Sequence, residues 1–99
     1  MKIRVNQKLM DEKGREIILQ DKSVMMLRDV IINAILMPDK DDDEKKKWEK
    51  YEIYKKLRDA TSEEIDFSVE EVALIKKLIG KYQPQLIMGQ CWEMLEGKL

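Results

Sequence analysis

Residues 66–96 read DFSVEEVALIKKLIGKYQPQLIMGQCWEMLE, and this stretch carries the densest structural instructions in the chain. Ser68 followed three residues later by Glu71 is the pattern of a capping box, in which the serine oxygen accepts the Glu71 amide and the glutamate carboxylate accepts the Ser68 amide. A helix is therefore predicted to begin at Val69. Its apolar residues Val69, Val72, Ala73, Ile75, Leu78 and Ile79 recur mostly at three- and four-residue steps, while Glu70, Lys76 and Lys77 take the other side. Gly80 is placed to end this helix at 79 in a left-handed conformation, with Lys76, Lys77 and Lys81 near its negative end. Pro84 suits the first turn of a second helix over 84–96, on which Ile87, Met88, Cys91, Trp92 and Leu95 share a face. The two segments make a helical hairpin with an apolar interior. Gly89 lies in the middle of the second helix at a cost of about 1 kcal/mol against alanine, and is read as marking a close approach by another backbone; the alternative is a merely tolerated glycine.

Upstream of this hairpin, residues 39–47 (DKDDDEKKK) place acids before bases, the order that suits a helix start, where carboxylates meet the positive end of the dipole. Trp48, Tyr51, Ile53, Tyr54 and Leu57 then supply a loose apolar face, predicting a helix over 43–59. Ile65 and Phe67 alternate with Asp66, the pattern of a short extended piece before the Ser68 cap. A further helix is predicted over 24–37, capped within Asp21-Lys22-Ser23 and ended by Pro38. Leu27, Val30, Ile31, Ala34 and Ile35 form its core stripe. Met25, Met26, Ile32, Leu36 and Met37 spread its apolar surface further round, so the helix is either central or shared with a partner. Methionine adapts to varied partners, which brings Met25, Met26 and Met37 forward as candidate binding residues beside Ile32, Trp48 and Tyr51.

The chain opens with alternation: Ile3, Val5 and Leu9 are apolar, and Lys2, Arg4, Asn6 and Lys8 lie between them. That is a half-buried strand. Asp11-Glu12-Lys13-Gly14 is turn chemistry, and Ile17 and Leu19 continue the apolar parity, so residues 2–20 are predicted to form a β-hairpin. A lone hairpin is marginal in water and must lay its apolar face on the helices. No internal repeat is visible. The expectation is one α+β domain over residues 1–99, an N-terminal β-hairpin packed on about four helices.

Composition narrows the chemistry. The 99 residues are 43% hydrophobic and 39% charged, with a formal charge of −1, so no global charge draws the chain to nucleic acid. There is one cysteine and no histidine. A lone cysteine forms no internal disulfide and fits a reducing compartment. Neither a signal-peptide run at the N-terminus nor an apolar stretch of membrane-spanning length is present, since Val30 to Met37 is short and interrupted by Asn33. A soluble, cytoplasmic protein is expected.

Asp39, Asp41 and Asp43 have the one-three-five spacing of a calcium loop, but Glu44 stands where glycine is needed and Lys50 where the bidentate glutamate is needed. Zinc lacks a ligand set. Cys91 has no histidine base and sits on an apolar helix face, and no glycine-rich phosphate loop exists. No metal, cofactor or catalytic residue is assigned. Residues 69–96 have the outline of a helix-turn-helix, yet between Tyr82 and Gly97 there is no lysine or arginine to anchor phosphates, leaving Gln85 and Gln90 alone to read bases. The better basic surface is Lys45, Lys46, Lys47, Lys50, Lys55, Lys56 and Arg58, interleaved with Trp48, Tyr51 and Tyr54. Glu44, Glu49 and Glu52 on the same helix favour a solvated face instead.

SVEEVALIKKLIGKYQPQLIMGQCWEMLE, with SVMMLRDVIINAIL upstream and EKYEIYKKL between, resembles a group of short proteins encoded by tailed phages and prophages. The shared outline covers nearly the whole chain: a hairpin, a leucine- and valine-rich helix, a charged middle helix, and an acid-capped helix ending in a Lys-Leu-Ile-Gly-Lys-like turn. None of these motifs carries a reaction. The resemblance implies a phage gene product in the bacterial cytoplasm that binds another macromolecule or assembles with itself. The expected function is thus a non-catalytic protein-interaction or assembly factor, using a protein partner or further copies of the chain. The alternative is a nucleic-acid-binding regulator working through the lysine-rich helix.

Overall fold

The computed structural model describes residues 1–97. Four helices and one two-stranded antiparallel sheet follow in the order β1 (Lys2–Arg4), α1 (Leu27–Leu36), α2 (Glu44–Asp59), β2 (Glu64–Asp66), α3 (Val69–Tyr82) and α4 (Gln85–Leu95). The α+β class and the helix count are as expected. The expected 2–20 hairpin forms only at its tip, where Met10 pairs with Glu16, because β1 takes β2 as its partner instead, with Ile3 opposite Ile65. The ladder is extended by Val5 N donating to Glu63 O at 3.0 Å and Phe67 N donating to Met1 O at 2.9 Å. Alternation holds on both strands. Ile3, Val5, Ile65 and Phe67 are buried, and the charged residues between them face water.

The expected turn at 11–14 exists, but it belongs to a different construction. Asp11 N donates to Arg15 O at 2.7 Å, Gly14 N donates to Asp11 O at 3.0 Å, and Gly14 has φ +78°. Eight residues on, Leu19 N donates to Ser23 O, Lys22 N donates to Leu19 O, and Lys22 has φ +70°. The chain therefore makes the same turn twice. The three extended segments so produced close on one another through the pairs Met10–Glu16, Ile18–Val24 and Lys8–Met26. At its centre is a cycle of three backbone bonds: Ile17 N to Leu9 O at 3.2 Å, Met25 N to Ile17 O at 2.8 Å, and Leu9 N to Met25 O at 3.0 Å. This is an eight-residue backbone repeat, matched at its centre by apolar side chains, Leu9, Ile17 and Met25. The ring is tied to α4 by Gln90, whose side-chain amide donates to Met10 O at 2.8 Å while its oxygen accepts from Met10 N at 2.9 Å.

The ring also corrects the start of α1. Residues 24–26 are extended, and Asp21 is a turn residue that accepts from Ser23 N and Ser23 Oγ. The helix begins at Leu27, with Asp29 accepting from Met26 N at 2.9 Å. Leu27 N and Arg28 N, which have no partner inside the helix, donate to Gln7 O and Val5 O. From there the predicted stripe holds: Leu27, Val30, Ile31, Ala34 and Ile35 are all buried, and α1 packs on α2, α3 and α4. It is the central helix. Ile53 and Leu57 of α2, Val72, Ile75, Leu78 and Ile79 of α3, and Cys91, Met94 and Leu95 of α4 complete the core.

The capping box at Ser68 forms as expected, with Glu71 N donating to Ser68 Oγ at 3.1 Å and Ser68 N to Glu71 Oε1 at 2.9 Å. The helix does not end at Gly80, however, and runs on to Tyr82. Glycine is needed there for another reason. A methyl carbon at Gly80 would lie 3.2 Å from Trp92 Cζ2 and 3.7 Å from Met88 Sδ, whereas one at Gly89 would meet nothing within 4 Å. The close crossing of the helical hairpin is at Gly80, and Gly89 is the tolerated glycine.

Candidate functional site

The corner between α1 and α2 is built by short polar residues. Pro38 follows the end of α1; Asp39 accepts from Asp41 N at 3.0 Å, and Asp43 caps α2 by accepting from Lys46 N at 2.8 Å. Asp39 also holds Lys81, and accepts from Tyr82 Oη at 3.2 Å, which pins the corner to the end of α3. The Lys81 hydrogen bond, reinforced by the Asp41 amide, keeps the Asp39 carboxyl well below the usual carboxylate range. The remaining member of the corner is the Asp42–Lys50 ion pair, with both side chains at least nine-tenths buried. Lys50 was counted with the basic surface by spacing alone; its side chain turns inward because Asp42 receives it.

On this fixed corner the apolar side chains stand outward. Leu36, the last residue of α1, is 54% exposed and Trp48 of α2 is 57% exposed. A groove of about 590 Å³ runs between the helices, walled by Leu36, Met37, Pro38 and Tyr51 and rimmed by Lys40 and Lys47. Ile32 joins Leu36, Met37 and Pro38 on the adjoining side of α1. Trp48, Tyr51 and Tyr54 form a ladder along α2 with ring centroids 5.7 and 6.1 Å apart, ended by Arg58, whose guanidinium lies 6.0 Å from the Tyr54 ring. Aromatic side chains, with two torsions each, lose little freedom on binding.

The six candidate residues are thus divided. Ile32, Met37 and Tyr51 border adjoining grooves, with Trp48 stacked beside Tyr51. Met25 and Met26 are half-buried at the opposite end of α1, about 15 Å along the helix, where they belong to the ring of extended segments. Leu36 is the member that sequence reasoning left off the candidate set. Its signal was present: it is apolar, one position past the core stripe, and stands two residues before a helix-ending proline.

The basic surface is smaller than its sequence count. Lys50 is buried, Lys56 donates to Glu71 at 2.6 Å, and Arg58 donates to Asp59 at 2.9 Å. Lys45, Lys46 and Lys47 remain exposed without an ion pair among the described residues, with Glu44 and Glu49 alongside. Gln90, one of the two possible base-reading amides, is occupied by Met10. Cys91 is fully buried, and burial pushes its thiol up to about 12, so the reactive thiolate is scarce at neutral pH. Among the described residues no helix is long and apolar enough to cross a membrane. The chain matches no protein family, no curated protein and no solved structure.

Proposed function

We propose that this protein is a non-catalytic interaction or assembly factor of phage type, acting in the bacterial cytoplasm by docking a protein partner, or further copies of itself, on the α1–α2 face. The observation that carries this reading is the exposure of two large apolar side chains, Leu36, which walls a groove with Met37, Pro38 and Tyr51, and Trp48, whose ring lies 5.7 Å from that of Tyr51. Exposed aromatic and aliphatic anchors beside a preformed groove are what protein interfaces use as their energetic centre. The methionine-rich end at Met25 and Met26 plays no part in this face. Phage origin and cytoplasmic action rest on the sequence resemblance.

Binding of a nucleic-acid backbone through Lys45–Lys47 is the competing outcome, and salt separates the two. Phosphate contacts weaken steeply between 50 and 200 mM salt, whereas apolar association does not. Affinity capture from bacterial extract, with and without nuclease and at both salt concentrations, is expected to retain the same protein in every condition. Capture abolished by nuclease or by the higher salt would refute protein docking and support the lysine helix.

A further inference from the structure

The hairpin of α3 and α4 carries a second groove, on which the α1–α2 reading does not draw. Met1, Val69, Val72, Ala73 and Trp92 form its apolar wall, Lys76 and Lys77 its charged side, and its volume is about 530 Å³. Val69 is 66% exposed despite belonging to the apolar repeat of α3, and Ala73, one turn further on, is exposed as well. The opposite wall is fixed. Trp92 Nε1 donates to Lys76 O at 3.1 Å, the ring edge lies against Gly80, and the Lys76 ammonium stands 4.8 Å from the ring centroid. A groove with such a wall needs little ordering before it binds.

Charge points to the occupant. The chain as a whole carries a formal charge of −1, yet both charged side chains lining this groove are lysines. Lys76 already receives a carboxylate here, Glu96 Oε1 at 2.8 Å. Lys77 is exposed and has no ion-pair partner among the described residues. From Val69 to Lys77 the helix advances about 12 Å, the length of two turns of a docked helix. The groove is open along its length. An acyl chain laid in it would leave much of its hydrocarbon in water, whereas an amphipathic helix has only one face to bury.

We infer that the α3–α4 groove docks an acidic amphipathic helix of a partner protein. Apolar side chains one turn apart enter between Val69, Ala73 and Trp92, and an Asp or Glu side chain beside them meets Lys77, Lys76 being held by Glu96. The test is a selection of random 12-residue displayed peptides on the immobilised full chain. Selected sequences are then made as synthetic peptides and titrated into the wild type, Val69→Glu and Lys77→Glu. Both positions are exposed, and unchanged circular dichroism and melting establish that the variants fold. The expected binders pair apolar residues at one-turn spacing with Asp or Glu, shift the Trp92 indole resonance, and bind each variant at least about tenfold more weakly. The same peptides with lysine in place of the acids are expected not to bind. A selection yielding no acidic binders, or binders that hold Val69→Glu as tightly as the wild type, would overturn the inference. So would binders that shift only the Trp48 resonance, a result that would leave the α1–α2 face standing.

Discussion

Gly80→Ala tests the packing of the helical hairpin through a competition between two effects of similar size. In an open helix interior, alanine stabilises over glycine by about 1 kcal/mol. At Gly80 the new methyl carbon would lie 3.2 Å from Trp92 Cζ2, so the ring must retreat by a few tenths of an ångström. The ring is held by the hydrogen bond from Nε1 to Lys76 O at 3.1 Å and by the Lys76 ammonium above it. Retreat stretches that bond toward roughly 3.5 Å, the limit of useful geometry, and weakens the cation–π contact. Losing most of a hydrogen bond worth about 1 kcal/mol and part of a cation–π contact worth about 0.5–1 kcal/mol outweighs the helix gain. Gly80→Ala is therefore expected to destabilise slightly, by up to about 0.5 kcal/mol in urea melts, and Gly89→Ala, with open space around it, to stabilise by up to about 1 kcal/mol. In a Trp92→Ala background the sign at Gly80 should reverse, because the obstacle is gone. A Gly80→Ala variant as stabilised as Gly89→Ala in the wild-type background would refute this account of the crossing.

Three further outcomes follow from the ring of extended segments and from the corner. Lys22 holds φ +70° at the position where the preceding turn has Gly14, so Lys22→Gly should stabilise by roughly 1 kcal/mol in urea melts, an increase unusual for glycine. Gln90→Ala leaves Met10 N and Met10 O without their partner and should cost about 1–3 kcal/mol, with hydrogen exchange of the Met10 amide accelerated before that of α1. Asp39 has a carboxyl pKa depressed below its ordinary 3.8, chiefly by Lys81, so its stabilisation is complete above that pH and is lost on acidification through the depressed value. Urea midpoints of the wild type and Asp39→Asn should accordingly differ by a constant amount between about pH 5 and 7, and the gap should begin to close only on acidification below about pH 4. A gap that widened on acidification would contradict that sign.

What was legible in the sequence was local. The Ser68–Glu71 capping box and the stripe Leu27, Val30, Ile31, Ala34 and Ile35 depend on spacings within a few residues, and both appear in the structure as read. Pairing of β1 with β2 depends on residues far apart in the chain, and nothing in either strand names its partner. The second copy of the turn has Lys22 where the first has Gly14, so it lacks the glycine that marks a positive φ in a sequence. The cap expected within Asp21-Lys22-Ser23 is a turn for a related reason: an aspartate that caps a helix and one that closes a turn make the same short hydrogen bonds to nearby backbone. The roles of Gly80 and Gly89 were exchanged because the need for glycine is set by a neighbouring ring, Trp92, which sequence position cannot locate. At the candidate site, Ile32, Met37, Trp48 and Tyr51 fell on the corner because helical spacing fixes their faces. Met25 and Met26 did not, since residues 24–26 are extended and the helical wheel does not reach them.

In the proposed function Leu36 and Trp48 form the centre of a protein-docking face. Quantitative affinity capture from nuclease-treated bacterial extract tests it most directly, comparing the wild type with Leu36→Glu, Trp48→Glu and the pair. Both residues are exposed, so the variants should melt like the wild type, and light scattering on the same samples reports whether the captured protein is a further copy of the chain. A defined protein is expected to be retained by the wild type, reduced about tenfold or more by either substitution and lost from the double variant. Equal recovery of that protein on the double variant would contradict it.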